Sequence, residues 1–167
     1  MDSTVYAALD AMTSALPRLS ALPTPIRVVI ADDHGGFVRA ITATLERAGI
    51  WVVAIAATGQ GALDAIRTER PAIALVDMRM PGLSGIDVAS SARRLAPATR
   101  VVILSAYLES EIIASAINAG AFGYVSKDSS PRTIVAAISR CAEGVPSLPS
   151  TLPEELRRSL AEQALQA

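Results

Sequence analysis

One cysteine, one histidine, one tryptophan and one lysine stand in a chain of 167 residues. The lone thiol, Cys141, can close no disulfide within the chain and cannot build a cysteine-rich metal site. It reads as a small buried hydrophobe on a helix and points to a reducing compartment. Aromatic residues make up only 4%, so the core must be built from aliphatic and small side chains. The longest uninterrupted apolar run, residues 50–57, falls far short of the roughly 20 residues that span a bilayer. Near the N-terminus stand Asp2 and Asp10 with no basic stretch before an apolar one, a poor match to a secretion signal. No membrane partner and a soluble, cytoplasmic protein are the expectation. Neither sign of charge dominates: 15 basic residues face 16 acidic ones, for a net charge of -1. That balance argues against a basic nucleic-acid clamp, so no direct nucleic-acid contact is expected from this chain.

Apolar residues are plentiful at 51%, which permits one sizeable core and excludes global disorder. Five apolar runs recur, at 26–31, 50–56, 72–76, 100–104 and 121–125. None alternates polar with apolar, the pattern of parallel strands buried on both faces. A helix-like stretch follows each run. Phe37, Val38, Ile41 and Leu45 mark the first, with Gly49 as its stop. Residues 61–70 form the second, halted by Pro71. Ser84 with Asp87 three residues later predicts a capping box at the third, and Gly120 stops the fourth. Ser130 and Pro131 open the fifth as N-cap and first-turn proline, and Gly144 closes it. Right-handed crossovers then require a parallel sheet with helices on both faces, a doubly wound α/β fold. Periodicity alone does not select the strand order.

Two tails flank this repeat. Residues 1–25 carry a helical seam, Val5, Leu9, Met12 and Leu16, followed by Pro17, Pro23 and Pro25. The seam suggests a helical extension that self-associates, giving a homodimer, or that docks on its own domain. Residues 145–167 read as a linker and a short helix: Thr151 with Glu154 as a capping box, Leu156, Leu160 and Ala164 as a narrow apolar stripe, and Glu154 with Arg158 as a pair. The division is 1–25 extension, 26–144 main domain, 145–167 tail.

Ligands of parallel α/β sheets gather beyond the carboxyl ends of the strands. Those ends carry Asp32 and Asp33 after the first strand, Asp77 after the third, Ser105 after the fourth and Lys127 after the fifth. If the first and third strands are neighbours, three carboxylates crowd together and repel unless a cation neutralises them. Hard oxygen ligands in small number suit Mg²⁺, which keeps several waters and takes phosphate as a co-ligand. A hydroxyl and an ammonium opposite suit the oxygens of a transferred phosphoryl group. Lys127 is the sole lysine against fourteen arginines, and a compact point charge fits a crowded phosphoryl site better than a planar fork.

The segments Val28-Val29-Ile30-Ala31-Asp32-Asp33-His34, Leu75-Val76-Asp77-Met78-Arg79-Met80-Pro81-Gly82, Val101-Val102-Ile103-Leu104-Ser105-Ala106 and Gly120-Ala121-Phe122-Gly123-Tyr124-Val125-Ser126-Lys127-Asp128 together resemble the receiver domain of two-component response regulators, LuxR/NarL-type branch. The resemblance covers about residues 26–144. It implies a flavodoxin-like five-stranded sheet of order 2-1-3-4-5 and a signalling module that catalyses only its own modification rather than a turnover enzyme. Asp77 would be the phosphoacceptor, with a sensor histidine kinase as donor. Asp33 would bind Mg²⁺ directly, Asp32 through water, and the backbone carbonyl of Arg79 would complete the protein ligands with Asp77. Ser105 would move onto the bound phosphoryl group, Lys127 would pair with it, and Tyr124 would turn inward as the switch. His34 reads as a loop residue rather than a ligand. Gly35-Gly36 stands where a proline and a bulkier residue are common, and no proline follows Lys127, so no cis bond is expected there. In that branch a helix-turn-helix domain follows; here the stretch around Leu148-Pro149-Ser150-Thr151-Leu152-Pro153-Glu154 resembles its linker, and this chain carries no readable DNA-binding element.

Other motifs are fragments. Asp32-x-His34 starts like a cobalamin loop, but Phe37 stands where glycine is needed. Gly59-x-Gly61 lacks the third glycine of a dinucleotide loop, since Asp64 is there. An aspartyl-nucleophile phosphatase wants a second aspartate where Arg79 stands. The competing readings are a receiver-like interaction module that takes no phosphate and the receiver half of a DNA-binding transcriptional regulator.

Overall fold

A computed structural model describes residues 24–167. The N-terminal seam of Val5, Leu9, Met12 and Leu16 lies outside the described residues. The elements alternate as β1 (Arg27–Ala31), α1 (Gly35–Arg47), β2 (Trp51–Ala56), α2 (Gly59–Glu69), β3 (Ile73–Asp77), α3 (Gly85–Leu95), β4 (Arg100–Ser105), α4 (Ser110–Ala119), β5 (Gly123–Ser126), α5 (Pro131–Ala142) and α6 (Glu154–Gln166). All strand pairs are parallel, and the order is β2-β1-β3-β4-β5. Each expected run is a strand and each helix-like stretch a helix, shifted by a few residues at the ends.

The sheet separates two apolar layers. Val38, Ile41 and Leu45 of α1 and Ile134, Ala137 and Ile138 of α5 pack with Val28, Ile30, Leu75, Val102 and Leu104 on one face. Helices α2, α3 and α4 cover the other, where alanines (Ala62, Ala89, Ala92, Ala116) let helix and sheet approach closely. Cys141 is fully buried on α5, and burial pushes its thiol up to about 11.

Local chemistry sets the helix ends. Ser84 and Asp87 form the expected reciprocal capping box at α3. Gly120 ends α4 at φ 117, a left-handed turn that glycine adopts without strain. The Ser130 side chain caps α5 on the Thr133 amide, with Pro131 in the first turn. The capping box expected of Thr151 and Glu154 does not form. Pro153 is the N-cap of α6 and no side chain caps it. Proline forces the residue before it into extended backbone, so the helix starts at Glu154 and Thr151 falls outside it. The stripe does pack as read: Leu160 and Ala164 are buried and Leu156 partly so, and Glu154 pairs with Arg158 at 3.3 Å. No described helix is long and apolar enough to cross a membrane.

Candidate functional site

Register brings the chemistry together. Ala31 lies beside Val76, so the next residues, Asp32 and Asp77, stand side by side at the carboxyl edge. Across β4 and β5, Ser105 aligns with Ser126, and Lys127 follows at once. Strand β1 is therefore adjacent to β3, the condition under which the carboxylates must crowd.

Asp32, Asp33, His34 and Asp77 each place a ligand atom within 4.8 Å of the others. Asp32 and Asp77 are almost fully buried, whereas Asp33 opens to solvent. The Lys127 ammonium lies 2.6 Å from Asp32 Oδ2 and 3.3 Å from Asp77 Oδ1. It is thus a resident counter-charge of the site, a lone ammonium held by the carboxylates. Burial raises the Asp77 carboxyl above its ordinary value, and neighbouring Asp32 raises it further. Lys127 opposes both.

His34, read from sequence as a plain loop residue, is the N-cap residue of α1, and its ring enters the acidic cluster. Its Nδ1 lies 3.0 Å from Asp32 and 3.2 Å from Asp33, and its backbone N–H donates to Asp32 Oδ1 at 2.8 Å. The signal that could have found it is its position two residues after Asp32, the spacing of a side-chain turn. Phe37 was equally missed; its ring lies 5.0 Å from the Lys127 ammonium, an attractive cation–π distance.

The hydroxyl side is arranged around Tyr107. Ser105, buried at the end of β4, accepts a hydrogen bond from the Tyr107 N–H at 3.0 Å. The Tyr124 hydroxyl donates to the Tyr107 carbonyl at 2.6 Å. Tyr124 is 1% exposed, its side chain turned inward. Its ring belongs to the core cluster that also holds Ile113 and Ile117. Burial raises its phenol. Arg79 follows β3 in the loop that leads to α3, and its guanidinium stacks over the Tyr107 ring at 4.3 Å.

The donor set fits Mg²⁺. Three carboxylates offer hard oxygen, and among the described residues Asp32 Oδ2 is buried without an aligned hydrogen bond, beside the charge of Lys127. Asp32, Asp33 and Asp77 are the residues that could hold such an ion.

Residues 28–139 match the profile described as the response regulator receiver domain. The chain is 39% identical over 144 residues to the "Probable transcriptional regulatory protein NarL" of Mycobacterium tuberculosis, an alignment that covers 83% of this chain and 67% of that protein. It is 36% identical over 122 residues to the nitrate/nitrite response regulator protein NarP of Escherichia coli, covering 72% and 57%. It thus spans about two thirds or less of the length of these relatives. Among solved structures, the signal receiver domain of NarL from M. tuberculosis superposes with TM-score 0.71 at 39% identity, over 73% of this chain and 99% of that one. A LuxR-family two-component response regulator from Aurantimonas sp. SI85-9A1 superposes with TM-score 0.72 at 30% identity, over 84% and 98%.

Proposed function

The chain belongs to the response regulator receiver domain family, a family of signalling modules rather than enzymes, and from that premise we propose that it accepts a phosphoryl group on Asp77 from a phosphohistidine of a sensor kinase. The phosphorus–nitrogen bond of the donor breaks as a bond forms to an Asp77 carboxylate oxygen; the donor ring, protonated on its other nitrogen, leaves as neutral histidine, and Asp77 becomes an acyl phosphate. The observation that carries this reading is the single lysine of the chain, poised between Asp32 and Asp77.

Asp77 is the nucleophile, and its burial excludes water that would compete for the donor. Lys127, 3.3 Å from the Asp77 carboxylate, is placed to pair with the incoming phosphoryl oxygens. Ser105 supplies a hydroxyl from the adjacent strand end. Asp33 and Asp32, with Asp77 and the Arg79 carbonyl, would hold Mg²⁺, which when bound offsets charge on the transferring phosphoryl group. Tipping such a switch from mostly off to mostly on requires roughly 5 kcal/mol of differential stabilisation. Several charge-assisted contacts of about 1.5–3 kcal/mol each supply that scale.

The implied setting is cytoplasmic two-component signalling, with residues 26–144 as the receiver and transcription regulation as the output class suggested by the relatives' names. The test is intact mass after incubation with Mg²⁺ and acetyl phosphate. A hydroxylamine-labile phosphoryl adduct is expected on the natural chain and none on Asp77→Asn. The same adduct on Asp77→Asn would place the acceptor elsewhere.

A further inference from the structure

The two edges of the sheet differ. On the β5 side, Ser147 forms a parallel bridge with Gly123, and the Tyr124 N–H donates to the Ser147 carbonyl at 2.8 Å. On the other side β2 pairs with β1 alone, and no described residue pairs with its outer edge. Of the five described strands, β2 alone has no polar side chain: it reads Trp-Val-Val-Ala-Ile-Ala and lies within the longest apolar run of the chain. That run is left open at the rim of the sheet. Only Ala56 of the six residues is buried, while Trp51 is 60% exposed and Ile55 55%. Proteins blunt such an edge with charge, proline or a covering element, and β2 carries neither charge nor proline.

The geometry of this edge selects its occupant. Val28 aligns with Val52, but Val29 aligns with Ala54 and Ile30 with Ile55, so Val53 is an inserted residue, a bulge. Partners in register share a face of the sheet. Trp51 aligns with Arg27 and Ile55 with Ile30, three residues on, so the two exposed side chains flank the edge from opposite sides. The bulge interrupts the regular ladder that an added strand would need. A helix lying along the edge needs no ladder and can touch both side chains.

The chain itself supplies one. The Trp51 N–H donates to the Ile26 carbonyl at 2.9 Å, so the residues before β1 join the domain right beside Trp51. Those residues, outside the described ones, carry Val5, Leu9, Met12 and Leu16 at helical spacing, with Ala8 and Ala15 to widen the seam. A helix over residues 4–16 would be about 20 Å long, and the residues of β2 span about the same length, roughly 20 Å. Residues 17–25, with Pro17, Pro23 and Pro25, reach about 28 Å when extended, enough for the helix to turn back along β2.

We propose that residues 4–16 form a helix that packs its Val5, Leu9, Met12 and Leu16 seam along the outer edge of β2 in the same molecule, over Trp51 and Ile55. A helix of this length is marginal alone in water, so its folding and its docking are one event. Docked, it closes an apolar edge that another chain could otherwise join. The assignment is independent of the phosphoacceptor reading.

Trp51 is the only tryptophan of the chain, so its fluorescence in the full chain tests the proposal. The comparison is with the double variant Leu9→Asp, Met12→Asp, which keeps the segment and spoils the seam while leaving residues 24–167 untouched. Acrylamide quenching of Trp51 is expected to be several-fold weaker in the natural chain than in the variant, and its emission bluer. Far-UV circular dichroism is expected to show the variant losing the helical signal of residues 4–16. Equal quenching in the two chains overturns the proposal. Loss of helical signal with Trp51 unchanged also overturns it, because the helix would then be seated elsewhere. Sedimentation over a dilution series, read with the same quenching, distinguishes a second copy as the occupant. Protection of Trp51 that persists in the monomer supports the seat within one molecule, and protection that disappears as a dimer dissociates overturns it.

Discussion

The Lys127 ammonium lies 2.6 Å from Asp32 Oδ2, inside a pocket where that carboxylate has no exposed surface. The pair, extended to Asp77 at 3.3 Å, makes a lysine the built-in counter-ion of a site designed to receive more charge. Removing one partner of a buried pair leaves the other charge uncompensated.

Lys127→Met is accordingly expected to lower stability by about 3 kcal/mol in metal-free buffer. Added Mg²⁺ restores much of the loss, since a divalent ion can stand in for the missing charge. Urea melts with EDTA and with Mg²⁺ check this. Equal losses in both buffers would show that Lys127 acts through packing of its stem and not through charge.

The raised Asp77 carboxyl gives a pH dependence with a definite sign. Burial is the main cause and Asp32 the next, with Lys127 opposing. A carboxyl whose folded value lies above its free value of 3.8 favours the protonated folded form. It costs nothing below the free value, and stability is lost progressively as pH rises through the folded value. Asp77→Asn has no such loss, so in EDTA its stability advantage over the natural chain should widen from pH 4 toward neutrality. A constant difference across that window would contradict the raised value.

Asp33 is the solvent-facing acid of the cluster, and among the described residues it pairs only with His34, at 3.2 Å. Mg²⁺ at about 100 times its dissociation constant would stabilise the natural chain by roughly 2.7 kcal/mol. Asp33→Ala should lose that gain yet melt no lower than the natural chain without metal, because one like charge has gone. Thermal melts with and without Mg²⁺ decide it, and equal shifts in the two proteins would remove Asp33 from the ligand set.

Gly85, the first residue of α3, has no room for a methyl group: a Cβ would lie 2.7 Å from the Asp77 carbonyl and 3.1 Å from Met78 Cα. Both neighbours are backbone of the segment that presents the acceptor. Gly85→Ala is expected to cost about 1–3 kcal/mol and to weaken Mg²⁺ binding, since relief requires moving Asp77. Denaturation and Mg²⁺ titration measure the two effects. Natural stability in the variant would show that α3 yields instead.

Much of this molecule is legible without coordinates. Largely apolar runs without alternation, Ser84 with Asp87, Ser130 with Pro131 and Gly120 determined the elements, because these signals act between residues a few positions apart. The acids at the strand ends were legible for the same reason: a residue just past a strand stays at its end whatever the strand's neighbours. What only the tertiary structure decided are relations across long loops. The periodic pattern did not choose β3 as the neighbour of β1, and that choice puts Asp32 beside Asp77. Nor could it place the His34 ring among the acids, seat the Tyr124 ring in the core, or lay Ser147 along β5. These depend on which surfaces meet after the chain has closed on itself. Local periodicity records which face of an element is apolar, but not which other face will cover it.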